Sequence, residues 1–294
     1  MIRVVDVSRE TTADVGSSQF MSVIVVTNQK GGVGKTTTAI SLGSALVGKG
    51  LRVLLVDLDP QGNATSGLGV AKDRPKSIYG VLLNEEPLSE AVTETPVDGL
   101  WIVPSSSEMA GAEVELVPLM AREYRLREAL KSADSYDAVL VDCPPSLGLL
   151  TVNALAAADG VLVPVQCEYY ALEGLSQLLN TIDAVRQRLN QKLRILAIVL
   201  TMEDRRNRLS MAVTEEVHRH FPQLVANTRI PRAVRLAEAP SHGLPISMYD
   251  PGSRAALAYE ELAAEIIERL RGGTAIALGS APAGPQRSTA GGLN

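Results

Sequence analysis

The sequence predicts an α/β fold built as a doubly wound, mostly parallel sheet flanked by helices. Short apolar runs rich in β-branched residues recur at 23–26, 53–56, 139–141, 161–163 and 195–200. They are apolar on both faces, as buried parallel strands are. Helical patterns at 36–47, 123–133, 147–157, 172–189 and 209–220 lie between or after them, and strand–helix–strand repetition implies right-handed crossovers. Composition agrees: 46% of the 294 residues are hydrophobic but only 3% aromatic, so Val, Ile, Leu and Ala must fill the core.

Taken in order, residues 1–20 are mixed and polar and read as a flexible N-terminal tail, or as a start assigned too early, with Met21 opening the first strand pattern. Residues 21–271 read as one domain, a size that doubly wound sheets reach as a single unit. Within it, residues 67–118 are broken by Pro75, Pro87, Pro96 and Pro104 and predict loops and short helices around one strand, 100–103. A last helix over 254–270 carries Leu257, Leu262, Ile266 and Leu270 at helical spacing, with Glu260, Glu261 and Glu265 expected opposite. From 272 to 294 the chain is a Gly/Ala/Pro/Ser-rich tail, expected to be disordered because it cannot bury enough apolar surface.

Two cysteines, Cys143 and Cys167, are too few for a disulfide framework, and no secretory leader is legible, so a reducing cytoplasmic home is expected. Both read as small packing residues. His218 and His220, two apart on a helix, point to different faces and read with His242 as surface residues rather than metal ligands. No apolar run approaches the roughly 20 residues of a membrane span. A net charge of -5 means that nucleic-acid binding must come from a local basic patch.

The chemistry-bearing motif is Asn28-Gln29-Lys30-Gly31-Gly32-Val33-Gly34-Lys35-Thr36-Thr37, between a strand and a helix. Glycines let backbone N–H groups converge on phosphate oxygens, the helix N-terminus faces the anion, Lys35 reaches the β- and γ-phosphates, and Thr36 can ligate Mg²⁺. Gln29 stands where the usual phosphate-loop pattern has Gly, and Lys30 is a second lysine. Asp57-Leu58-Asp59-Pro60 and Asp142-Cys143-Pro144-Pro145 each put Asp at the end of an apolar strand, where open α/β sheets gather ligands. Asp142 reads as the Walker B residue, and either Asp57 or Asp59 as the group that orients the attacking water.

These motifs, with Asp57 to Asn63, Gln166 to Gly174 and Ile230 to Gly243, resemble the ParA/Soj family of chromosome and plasmid partition ATPases, of the deviant Walker A kind, over about residues 21–270. The resemblance implies an ATPase with ATP and Mg²⁺ as cofactors and a nucleotide sandwich homodimer. Lys30 matches the signature lysine that reaches the other subunit's phosphates, in the manner of an arginine finger supplied in trans. Asp59 matches the catalytic aspartate and, with Thr36 and Asp142, belongs to the magnesium residues, and Thr201-Met202 and Pro231 match the adenine pocket. Ala233 stands where relatives commonly have Asn, which removes an amide contact to the base.

A local excess of positive charge runs through Arg205, Arg206, Arg208, Arg219, Arg229, Arg232 and Arg235. Such arginines can neutralise phosphates without reading bases, or pair with Glu203, Asp204, Glu215 and Glu216 on the surface. The resemblance favours DNA: Arg206 and Arg235 match the family's non-specific double-stranded DNA contacts, and Arg208 is a candidate by proximity. It further implies a ParB/Spo0J-like centromere-binding partner that stimulates hydrolysis, a nucleoid-associated location and no membrane. The alternative is a MinD-like positioning ATPase, which would need a basic amphipathic C-terminal helix where this chain has an acidic one. An iron–sulfur enzyme bridged by cysteines of two subunits is a third class, and the surroundings of Cys143 and Cys167 do not match it.

Overall fold

Apolar runs with no polar face can be satisfied only between two layers, and the chain provides them by threading helices to both sides of one sheet. The structure, a computed structural model, describes residues 21–168, 171–204 and 206–272. The tail expected over 1–20 and, apart from Gly272, the one expected over 272–294 lie outside the described residues, as does Arg205. Strands β1 (Ser22–Val26), β2 (Val53–Asp57), β3 (Thr93–Glu94), β4 (Leu100–Val103), β5 (Ala138–Asp142), β6 (Gly160–Gln166) and β7 (Arg194–Thr201) form a seven-stranded sheet. Their order is β3-β4-β2-β5-β1-β6-β7, and every pair is parallel except β3 with β4.

Alternation along each strand divides the core into two layers. Val23 and Val25 face one, with Leu178, Ile182 and Val217 from the helices Ala171–Arg188 and Arg208–His220; Ile24 and Val26 face the other, with Ile40, Leu42, Leu262 and Ile266. The second layer is made mainly by the helices Lys35–Gly48 and Arg254–Arg271.

Several expectations need correction. Residues 67–118 hold two strands, not one: β3 pairs Thr93 with Ile102 and Glu94 with Trp101, too short a strand to show any period. The helix expected over 123–133 begins later, as Arg125–Ala129, and tightens into a 3-10 turn at Leu130–Ser132. In the last helix Leu257 is 49% exposed, and the buried stripe is Ala255, Ala256, Ala258, Tyr259, Leu262, Ala263 and Ile266. Small residues bring this helix close to Lys35–Gly48, where the Tyr259 and Thr38 hydroxyls lie 3.2 Å apart. Glu265 does not stand opposite the packed side, because it accepts the N–H groups of Asn227 and Thr228 and binds Arg269. Cys143 and Cys167 are buried, and no described helix is long and apolar enough to cross a membrane.

Candidate functional site

Register brings the predicted acidic residues together. Val26, Asp142 and Asp57 are lateral neighbours across β1, β5 and β2, so the segments leaving these strands emerge side by side at the carboxyl edge. The loop leaving β1 carries Lys30 to Gly34, and Gly34 caps the helix Lys35–Gly48 with φ 88°, a left-handed conformation suited to glycine. No side chain caps this helix, so the first-turn N–H groups of Lys35, Thr36 and Thr37 are open to an anion. A Cβ on Gly31 or Gly32 would meet nothing within 4 Å, so the loop's outer face is clear.

The two lysines are held differently. Lys35 is buried at 6% exposure and donates from Nζ to the Lys30 carbonyl at 3.2 Å. Burial lowers its pKa, with Asp142 and then Asp59 offsetting part of the effect. Lys30 is on the surface, its ammonium 2.5 Å from Glu168 in the loop after β6. Glu168 also accepts from Gln166. Sequence reading gave Glu168 no role; its place in the segment Gln166 to Gly174 was the only signal.

Asp142 is fully buried and neither of its oxygens has a hydrogen-bond partner among the described residues. Burial first, then the neighbouring Asp57 charge, push its carboxyl well above the usual range, with the Thr36 side chain pulling the other way. An orphaned buried carboxylate beside a lysine and an open helix N-terminus is a donor set that fits a hard cation with phosphate. No group of three or more His, Cys, Asp or Glu that could hold a metal occurs among the described residues.

Asp57 and Asp59 divide sharply. Asp57 is occupied: Oδ2 accepts the Thr65 N–H (2.8 Å) and hydroxyl (2.7 Å), and Oδ1 accepts the Asp59 N–H (3.2 Å). Burial pushes its pKa up to about 6 against those hydrogen bonds. Asp59, 6% exposed, accepts the Gln61 N–H on Oδ1, and its Oδ2 takes no hydrogen bond from the described residues.

Thr201 and Met202, at the end of β7, border the same loop. The Thr201 hydroxyl donates to the Val33 carbonyl at 2.8 Å, and the Met202 side chain lies about 4.0 Å from where a Gly34 Cβ would be. Met202 itself has φ 53°. Pro231 is bridged to Glu203, two residues after Thr201, so the predicted base-side residues share one edge.

That bridge also lays the segment that leads to Arg206 alongside the one that contains Arg229 and Arg232. Arg206, 92% exposed, pairs with Asp204; Arg229 pairs with Glu203, and Arg219 with Glu216. Arg235 contacts Glu238 and Tyr249. Arg208 begins the helix Arg208–His220 and is exposed. The His218 ring lies against the Thr214 carbonyl, the His220 ring against Glu216, and His242 stacks on Tyr249.

Fold and site together define a P-loop nucleotide-binding protein with a deviant Walker A loop. A family model described as an AAA domain matches residues 21–195, more than half of the chain. The sporulation initiation inhibitor protein Soj of Bacillus subtilis is 54% identical over 246 residues, 83% of this chain and 97% of that protein. The chromosome partitioning protein ParA of Caulobacter vibrioides is 50% identical over 87% of this chain and 97% of its own length. Among solved structures, a cobyrinic acid a,c-diamide synthase from Mycobacterium smegmatis with bound ADP and magnesium superposes with TM-score 0.77 at 40% identity, covering 87% of this chain and 98% of that one. The cell division ATPase MinD of Pyrococcus furiosus gives 0.70 at 28% identity, covering 85% and 100%. The chain belongs to the Soj/ParA family of chromosome-partitioning ATPases.

Proposed function

We propose that this chain is a DNA-segregation ATPase: it dimerises on binding ATP, coats double-stranded DNA without sequence preference, and is released when a ParB/Spo0J-like centromere-binding partner stimulates hydrolysis to ADP and phosphate. The observation that carries the reading is the convergence of an uncapped helix N-terminus, buried Lys35 and the unpartnered carboxylate of Asp142 at the carboxyl edge of one sheet. Gly31, Gly32, Val33, Gly34 and Thr37 cradle the phosphates, Lys35 contacts them, and Met202 and Pro231 flank the adenine. Thr36, Asp59 and Asp142 would hold Mg²⁺, which would supply charge neutralisation on the phosphates. Asp59 rather than Asp57 orients the attacking water, since Asp57 has both oxygens engaged.

Lys30 acts across the dimer and must first leave Glu168 of its own chain. Arg206, Arg208 and Arg235 face DNA phosphates, and holding two such patches on one dimer raises their effective concentration. The protein then works in the cytoplasm on the nucleoid. A MinD-like membrane role finds less support, because the helix Arg254–Arg271 spends its apolar side on the core.

The test is size-exclusion chromatography and DNA binding with MgATP. Asp59→Ala is expected to accumulate a DNA-bound dimer, and Lys30→Ala to stay monomeric. A Lys30→Ala protein that still forms the ATP dimer removes the trans role of that lysine, and ATP-dependent sedimentation with anionic liposomes would turn the reading toward the membrane alternative.

A further inference from the structure

Asp59 sits on a loop held by several hydrogen bonds. Its N–H donates to Asp57, and its carbonyl accepts from the Gly62 N–H at 2.8 Å and from the Ser105 hydroxyl at 2.8 Å. Ser105 belongs to another part of the chain, the turn that follows β4, and is 1% exposed. Its N–H donates to the Thr65 hydroxyl oxygen at 3.0 Å, and that hydroxyl's single proton goes to Asp57 at 2.7 Å. The polarity of the chain is therefore set: each O–H has one proton and each is committed. Of these bonds, those made by Ser105 are the ones that tie the Asp59 loop sideways to the next strand rather than to itself.

We propose that Ser105, supported by Thr65, is a positioning residue for hydrolysis: its hydroxyl clamps the Asp59 peptide so that the free carboxylate oxygen is aimed at a constant point. Among the described residues no hydrogen bond of Ser105 or Thr65 reaches the phosphate loop, so loss of the clamp affects turnover rather than nucleotide capture. Removing the hydroxyl also leaves the Asp59 carbonyl with a second donor, Gly62, so the loop keeps its local turn while losing its lateral anchor. Small misplacements of a catalytic group cost much of its effect. The inference rests on the reading of Asp59 given above.

Steady-state ATP hydrolysis by the full chain, with nucleotide affinity, dimer mass and melting temperature measured alongside, provides the test. Ser105→Ala is expected to lower kcat about tenfold with KM, ATP-dependent dimerisation and melting temperature close to wild type. Ser105→Thr and Thr65→Ser, which keep the hydroxyls, should retain most of kcat, while Thr65→Val should lose it. Wild-type kcat in Ser105→Ala overturns the clamp. So does a loss of kcat accompanied by equal losses of ATP affinity and melting temperature, which would mark a merely structural serine. Asp59→Ala separates the two layers: if it hydrolyses ATP normally the underlying reading fails, whereas an inactive Asp59→Ala beside a fully active Ser105→Ala sinks the clamp alone.

Discussion

Lys30 and Lys35 are five residues apart, yet one is a surface ion pair and the other a buried ammonium over its own loop. An ion pair as exposed as Lys30–Glu168 contributes little to stability, on the order of 0–1 kcal/mol, so exchanging Glu168 for another anion costs the fold little. Arg206 and Arg235 are themselves exposed, so their partly exposed partners Asp204 and Glu238 are equally weak competitors for a phosphate. Arg206→Ala and Arg235→Ala are each expected to reduce the slope of log affinity against log salt by about one and to weaken binding to all duplex sequences alike. Fluorescence anisotropy across a salt series with two unrelated duplexes measures both; an unchanged slope takes that arginine off the DNA surface. The types and order of the site residues were legible from the motifs. Their partners were not: Glu168 is 138 positions from Lys30 and Ser105 is 46 from Asp59, so only the crossovers bring them together.

At the scale of the element, the last helix shows where periodicity misleads. Leu257 matches the apolar spacing yet faces outward, because the close approach of Lys35–Gly48 selects the alanines and Tyr259 for the inner side. Arg269 then anchors the helix end: it donates to the carbonyls of Leu196 (2.8 Å) and Val225 (2.9 Å) and pairs with Glu265. Arg269→Ala takes this donor from both carbonyls and the guanidinium from Glu265, whose half-buried carboxylate keeps only the Asn227 and Thr228 N–H groups. It is expected to cost about 2–4 kcal/mol, seen as a lower urea midpoint at unchanged slope; a change below about 0.5 kcal/mol would show that water replaces the guanidinium freely. β3 was invisible for the opposite reason, since two residues carry no pattern and its existence depends on pairing with β4.

For the whole molecule, the acidic centre sets a pH dependence opposite in sign to the usual one. Burial pushes the Asp57 carboxyl in the folded chain up to about 6, above the ordinary carboxylate value, so between the two values the folded state holds a proton that the unfolded state has released. That stability is complete below about pH 4 and is lost as pH rises through about 6. Glu265 acts the other way: burial raises its pKa, but the Asn227 and Thr228 N–H groups and Arg269 outweigh this and hold it low, so its contribution is lost on acidification. The nucleotide-free chain should therefore melt higher at about pH 5 than at about pH 7 and lower again below about pH 4. A melting curve that rises steadily from about pH 5 to pH 7 would show that the centre is not strained when ionised. What could be read from the letters alone was everything local or periodic: the buried strands, the phosphate loop with its two lysines, and the aspartates at strand ends. Packing in three dimensions settled which aspartate is spent on its neighbours, which lysine is paired, and which side of the last helix is inside. Those outcomes depend on register and close approach between segments far apart in sequence, and a one-dimensional pattern contains neither.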